Sequence, residues 1–143
     1  MTRYALDTRL ANDAISIGNL DLSELRLMND RRFLWTILVP RRPGLTELFE
    51  LTRQDRATLT DEIAAVSETL KRLANAHKMN VAALGNQVRQ LHVHIIARHE
   101  GDAAWPQPVW GRGTAEPYEA EKAEALATQI AKALKIAPTA NTL

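Results

Sequence analysis

Gln90-Leu91-His92-Val93-His94-Ile95-Ile96 alternates polar and apolar side chains over its first five positions, and that alternation decides how the chain is read. Successive side chains of a strand point to opposite faces. Leu91, Val93 and Ile95 then share one face, which suits a core. Gln90, His92 and His94 share the other, with neighbours about 6.6 Å apart along the strand. A core has no use for three hydrogen-bonding side chains in a row. An anion or metal site has. Imidazole titrates near neutrality and is both a nucleophile and a proton carrier. A phosphoryl centre needs an attacking group, in-line geometry and donors for its equatorial oxygens. His92 suits the attack and His94 the holding of phosphate.

Working outward, Gly85-Asn86-Gln87 lies just upstream. Glycine there admits close approach of the backbone to a ligand, and the two amides can donate to it. The bland alternative is a His-x-His pair on a solvent-facing sheet surface. A metal alternative would join His99 to His92 and His94.

Four more strands are expected, at 14–18, 24–28, 34–39 and 79–84. The first three form an antiparallel meander, the last of them stopped by Pro40. Leu59, Ile63, Val66, Leu70 and Leu73 repeat at helical spacing within a helix of about 52–76. Thr52 followed by Asp55 resembles its capping box. Pro and Gly make 101–114 a loop. A terminal helix over 116–134 presents Ala123, Leu126, Ile130 and Leu134. The order is that of an α+β domain with a mostly antiparallel sheet of about five strands, one long helix and a C-terminal helix. Residues 1–136 read as one domain and 137–143 as a mobile tail.

The chain has 143 residues, enough to bury a core without disulfides, and it has no cysteine. That excludes cysteine nucleophiles and thiolate metal sites. The 18 Lys+Arg nearly balance 17 Asp+Glu, so nothing draws it to a nucleic acid polymer. Arg31, Arg32, Arg41 and Arg42 flank one strand, as solvated strand ends or as an anion-binding rim. No apolar run suits a bilayer and no signal-peptide core opens the chain, so a cytoplasmic protein is expected.

The segment 90–96 resembles the hallmark of the histidine-triad (HIT) family, His-φ-His-φ-His-φ-φ with φ apolar. Only the first histidine is replaced, by Gln90. The lead-in 85–89, the strand pair around 27–40 and the long helix are also similar to the family's, and 98–111 looks like a bacterial subgroup's. The resemblance implies a two-fold homodimer acting on a nucleotide substrate. His92 would attack the α-phosphorus of a nucleoside phosphoramidate, dinucleoside polyphosphate or similar conjugate, forming a nucleotidyl-histidine. His94 would bind phosphate, Asn29 would contact the ribose, and Asn86 and Gln87 would contact phosphate oxygens. No metal or cofactor is implied. Glutamine at 90 keeps hydrogen bonds but carries no proton near pH 7. That leaves two readings, an enzyme or a nucleotide-binding protein with little turnover. Trp35 is expected in the core. Trp105 and Trp110 either pin their loop or cover a ligand.

Overall fold

The computed structural model describes residues 3–138. Asp7 opens a short helix, α1 (Thr8–Asp13), by accepting the Arg9 N–H, and Leu10 is its buried residue. Sequence periodicity does not mark this helix, because six residues are too few to show a 3.6-residue stripe. Strands β1 (Ala14–Asn19), β2 (Ser23–Met28) and β3 (Leu34–Pro40) follow as the expected meander.

The long helix α2 (Arg53–Ala74) starts where Thr52 accepts the Asp55 N–H at 3.1 Å. The capping box is incomplete. The Asp55 carboxylate pairs with Arg42 at 2.8 Å instead of reaching back to Thr52. The helix ends at Asn75, whose left-handed backbone (φ 48°) suits an asparagine. Strands β4 (Lys78–Ala82) and β5 (Val93–Arg98) and helix α3 (Ala120–Leu134) complete the described chain. The last helix begins four residues later than its composition suggests, since Pro117 and Tyr118 lie in an extended approach to it.

The five strands form one antiparallel sheet in the order β1-β2-β3-β5-β4, so the fold is α+β as expected. Both long helices cover one face. Leu25, Leu27, Leu38, Val93 and Ile95 of the sheet pack there with Leu59, Val66 and Leu70 of α2 and Ile130 and Ala131 of α3. The opposite face is covered differently. Leu10 of α1 sits on Ile37 and Val39, while the loop after β5 lays Ala104 and Val109 against Phe33, Trp35 and Ile96. Strand β5 is therefore buried at every position instead of at alternate ones. Each fully buried large aliphatic side chain contributes about 1.5–3 kcal/mol.

The described end of the chain crosses the sheet edge. Gly18 bridges Pro138, and a β-carbon at Gly18 would stand 2.6 Å from the Ala137 carbonyl oxygen. Of the tail expected to be mobile, Ala137 and Pro138 are thus seated on β1, and 139–143 lie outside the described residues.

Candidate active site

The second face of the sheet carries the site. Leu91 is buried in the helix-side core and its N–H donates to the Leu45 carbonyl at 2.9 Å, which turns His92 to the other side. His92 lies just before β5, and His94 within it. Their rings are 4.9 Å apart, centre to centre. Each residue is only 6% exposed, so an open, solvated strand face is not what the fold builds. Both rings instead line a cavity of about 470 Å³. That volume suits a small-molecule ligand.

Each imidazole is held by one nitrogen. His92 Nδ1 lies 2.6 Å from the Gln90 carbonyl oxygen. A carbonyl only accepts, so Nδ1 carries a proton, and in the neutral ring Nε2 keeps its lone pair. His94 Nδ1 lies 2.9 Å from Trp35 Nε1. Indole only donates, so here Nδ1 accepts and a neutral His94 carries its proton on Nε2. Burial, helped by the facing His92, lowers the His94 pKa from 6.5 to about 3. His94 is therefore neutral across the physiological range.

Strand register explains how Trp35 reaches. His94 stands opposite Ile37 and Ile96 opposite Trp35, so Trp35 and His94 are diagonal neighbours on one face. Such diagonals lie within reach of an aromatic ring. Trp110, from the loop after β5, packs edge-on against both, at 5.0 Å from His94 and 5.9 Å from Trp35. Trp35 is in the core as expected, and it also belongs to the site.

Gly85, Asn86 and Gln87 line the same cavity, with Gly85 in a left-handed conformation (φ 85°) that a side chain would strain. Asp30, Arg32 and Arg112 line it as well. The Asp30 carboxylate is buried yet held below the usual carboxylate range. Burial alone would raise it, but a two-pronged pairing with Arg32 and backbone N–H groups of Glu116 and Arg32 outweigh that cost. Of the four arginines weighed as a rim, only Arg32 lines the cavity. Arg31 pairs with Glu116, Arg42 with Asp55, and Arg41 donates to the carbonyls of Leu20, Asp21 and Leu22.

Two expected site residues lie outside the cavity that both histidines line. The Gln90 carboxamide donates to the Ala5 carbonyl at 2.9 Å and accepts the Asp7 N–H at 2.8 Å. It fastens the amino-terminal segment and does not line the cavity that both histidines share, but with His92 and Gly85 it lines an adjoining cavity of about 290 Å³. Asn29 accepts the Tyr118 N–H at 2.9 Å and lines a separate cavity beside β1 and α3. Its neighbour Asp30 is the residue that faces the histidines' cavity. The strand pattern places an Asn-Asp turn there and cannot say which of the two turns inward.

The three-histidine metal set is not assembled. His99 Nε2 lies 2.8 Å from the Ala74 carbonyl at the end of α2, and its ring packs against His77. Among the described residues, no three His, Asp or Glu side chains converge as metal ligands. Asn80 Oδ1 accepts from Arg98, and Asp102 binds Arg98 through both carboxylate oxygens. Among the described residues, no helix is long and apolar enough to cross a membrane.

Known proteins share this fold along nearly the whole chain. A histidine triad protein from Sinorhizobium meliloti is 53% identical, with a TM-score of 0.88 over 90% of this chain and 96% of that one. One from Marinobacter aquaeolei is 42% identical, with a TM-score of 0.91 over 94% and 98%. One from Bradyrhizobium japonicum is also 42% identical, with a TM-score of 0.90 over 93% and 99%. No curated protein matches the chain. Residues 9–101 match the HIT domain, which takes in β1 to β5 and both histidines of the cavity. With that match, and with neighbours so similar along nearly their whole length, the chain belongs to the histidine-triad (HIT) domain family.

Proposed function

We propose that this protein is a nucleotide-binding phosphohydrolase or nucleotidyl transferase whose nucleophile is His92. The observation that carries this reading is the state of the His92 ring. Its Nδ1–H is fixed on the Gln90 carbonyl, and its Nε2 lone pair remains for bonding in a ring that lines a ligand-sized cavity.

The chemistry follows from that geometry. Nε2 forms a bond to the α-phosphorus, and the bond to the leaving group breaks with its electron pair going to the leaving group, which takes its proton from solvent. The imidazole gains positive charge as this happens, and the carbonyl against Nδ1–H stabilises it. Neutral His94 donates Nε2–H to a phosphate oxygen. Asn86, Gln87 and the backbone at Gly85 supply further donors. Water, or another acceptor, then attacks phosphorus and releases His92. Substrates are nucleoside phosphoramidates, dinucleoside polyphosphates or similar conjugates.

The Gln90 side chain supports a second reading, in which nucleotide is bound with weak turnover. A carboxamide engaged with Ala5 and Asp7 gives no proton to a leaving group, and positioned proton transfer is worth typically about 10²–10⁴-fold. One experiment separates the two. Wild type and His92→Ala are incubated with adenosine phosphoramidate and with a diadenosine polyphosphate, and AMP is followed. Release by wild type alone supports the enzyme. Calorimetric binding of AMP without release supports the binder. Neither binding nor release sinks both.

We also propose the homodimer that the family resemblance implies. Strand β4 is a sheet edge, and Val81, Leu84, Leu48 and Phe49 are exposed apolar side chains. Such edges and patches favour pairing. Val81→Lys should shift the sedimenting mass from dimer to monomer, and a monomeric wild type would refute the assembly.

A further inference from the structure

We propose that Trp35 is a positioning residue, whose indole N–H holds His94 as the neutral Nε2–H tautomer and so makes it a fixed donor for a phosphate oxygen. Only the identity of the acceptor rests on the phosphoryl-transfer reading. The tautomer itself follows from the two rings.

Free imidazole exchanges between two neutral tautomers and a cation. At His94 two of these three states are incompatible with the contact at Nδ1. An N–H on Nδ1 would point at the indole N–H 2.9 Å away. The cation carries that same hydrogen and fails for the same reason. Every element packed on His94 agrees. Strand β3 brings Ile37 and Trp35, β4 brings Ala82, and the following loop brings Trp110. None of these titrates. The titratable group against the ring is His92, and the charged groups lining the cavity with it are Asp13, Asp30, Arg32 and Arg112. The indole hydrogen-bonds His94 at Nδ1, and that contact is what selects the tautomer. The two histidines thus present opposite functions on the same ring atom. In the neutral rings Nε2 of His92 is a lone pair and Nε2 of His94 is an N–H, and the partner at Nδ1 decides which.

The test is nitrogen NMR of histidine-labelled full chain, with Trp35→Phe, which keeps a ring but removes the donor. In wild type, His94 should show the Nε2–H tautomer from neutral pH down to mildly acid pH. In Trp35→Phe the tautomers should mix and the ring should titrate about one pH unit higher or more. If that variant does not fold, benzothienylalanine at position 35 puts sulfur where the indole carries N–H. An Nδ1–H tautomer in wild type, or an unchanged ring in the donorless variant, overturns the proposal. Turnover gives a second readout. Trp35→Phe should lower kcat roughly tenfold, less than the loss of a whole donor, and add an ionisation to the acid limb of the pH profile. An inactive wild type with the expected tautomer would refute the reaction and leave the role of Trp35 standing.

Discussion

Strand β5 carries two buried polar clusters on one face, and they are opposite in kind. At its end, Arg98 is 1% exposed and almost wholly committed. It donates twice to Asp102, once to Asn80 and once to the Gln107 carbonyl. Asp102 in turn accepts the backbone N–H groups of His99, Ala104 and Trp105. At its other end, His94 and His92 just before the strand are also buried, yet each has one nitrogen held and one not, beside a cavity. Buried polar groups with all bonds made lock a structure. Buried polar groups with a bond left to make beside a cavity are built for a ligand. The first cluster also serves the second, because Arg98 and Asp102 hold the loop that brings Trp110 onto His94.

That contrast can be broken most sharply at His92. His92→Ala should lower nucleotide turnover by roughly a thousandfold or more, as loss of a nucleophile does. Its thermal midpoint should move little. Progress curves and thermal melts on one preparation check both. Arg98→Ala should do the reverse in kind, with a loss of about 3–5 kcal/mol from leaving Asp102 buried and unpaired. Denaturant titration reads it.

Acid should separate the clusters by pH. The folded His94 pKa is about 3 against 6.5 when unfolded, so the unfolded chain takes the proton first. Stability should fall as pH drops below 6.5, by up to about 1.4 kcal/mol per unit. Asp30 and Asp102 are held ionised, so their contributions are complete above the ordinary carboxylate range and are lost only below it. Melts between roughly pH 6.5 and 4 therefore report on His94, and His94→Asn should flatten that slope. A slope unchanged in the variant would place the effect elsewhere.

The smallest expected effect is at Gln90. Gln90→His removes the bonds to Ala5 and Asp7, at a cost of about 1–3 kcal/mol. It should change turnover little, because the side chain at 90 does not line the cavity that His92 and His94 share. A large gain in AMP release would show that a histidine at 90 reaches the substrate after all.

Much of the fold was legible because its periods are strong. Leu59, Val66 and Leu70 are buried on α2 as their spacing requires, and β3 and β5 lie where their β-branched runs place them. The site was legible in part. His92, His94, Gly85, Asn86 and Gln87 share one cavity, while Asn29 and Gln90 do not. Adjacent turn residues such as Asn29 and Asp30 differ only in which way the backbone rotates them. That rotation goes with partners far along the chain, the Tyr118 N–H for one and the Glu116 N–H for the other, where nearby Arg32 adds its own bonds to Asp30.

What the sequence determined by itself is everything carried by local period and residue type. That covers the order of the five strands and the two long helices, the antiparallel meander, and the two imidazoles set two residues apart beside a glycine-led turn. Only the tertiary structure decided which nitrogen of each imidazole is free. Trp35 is 59 residues from His94 in the chain, and their meeting depends on the register between β3 and β5. Hydrogen-bond partners at that separation are fixed by packing of the whole sheet, and no local pattern encodes them.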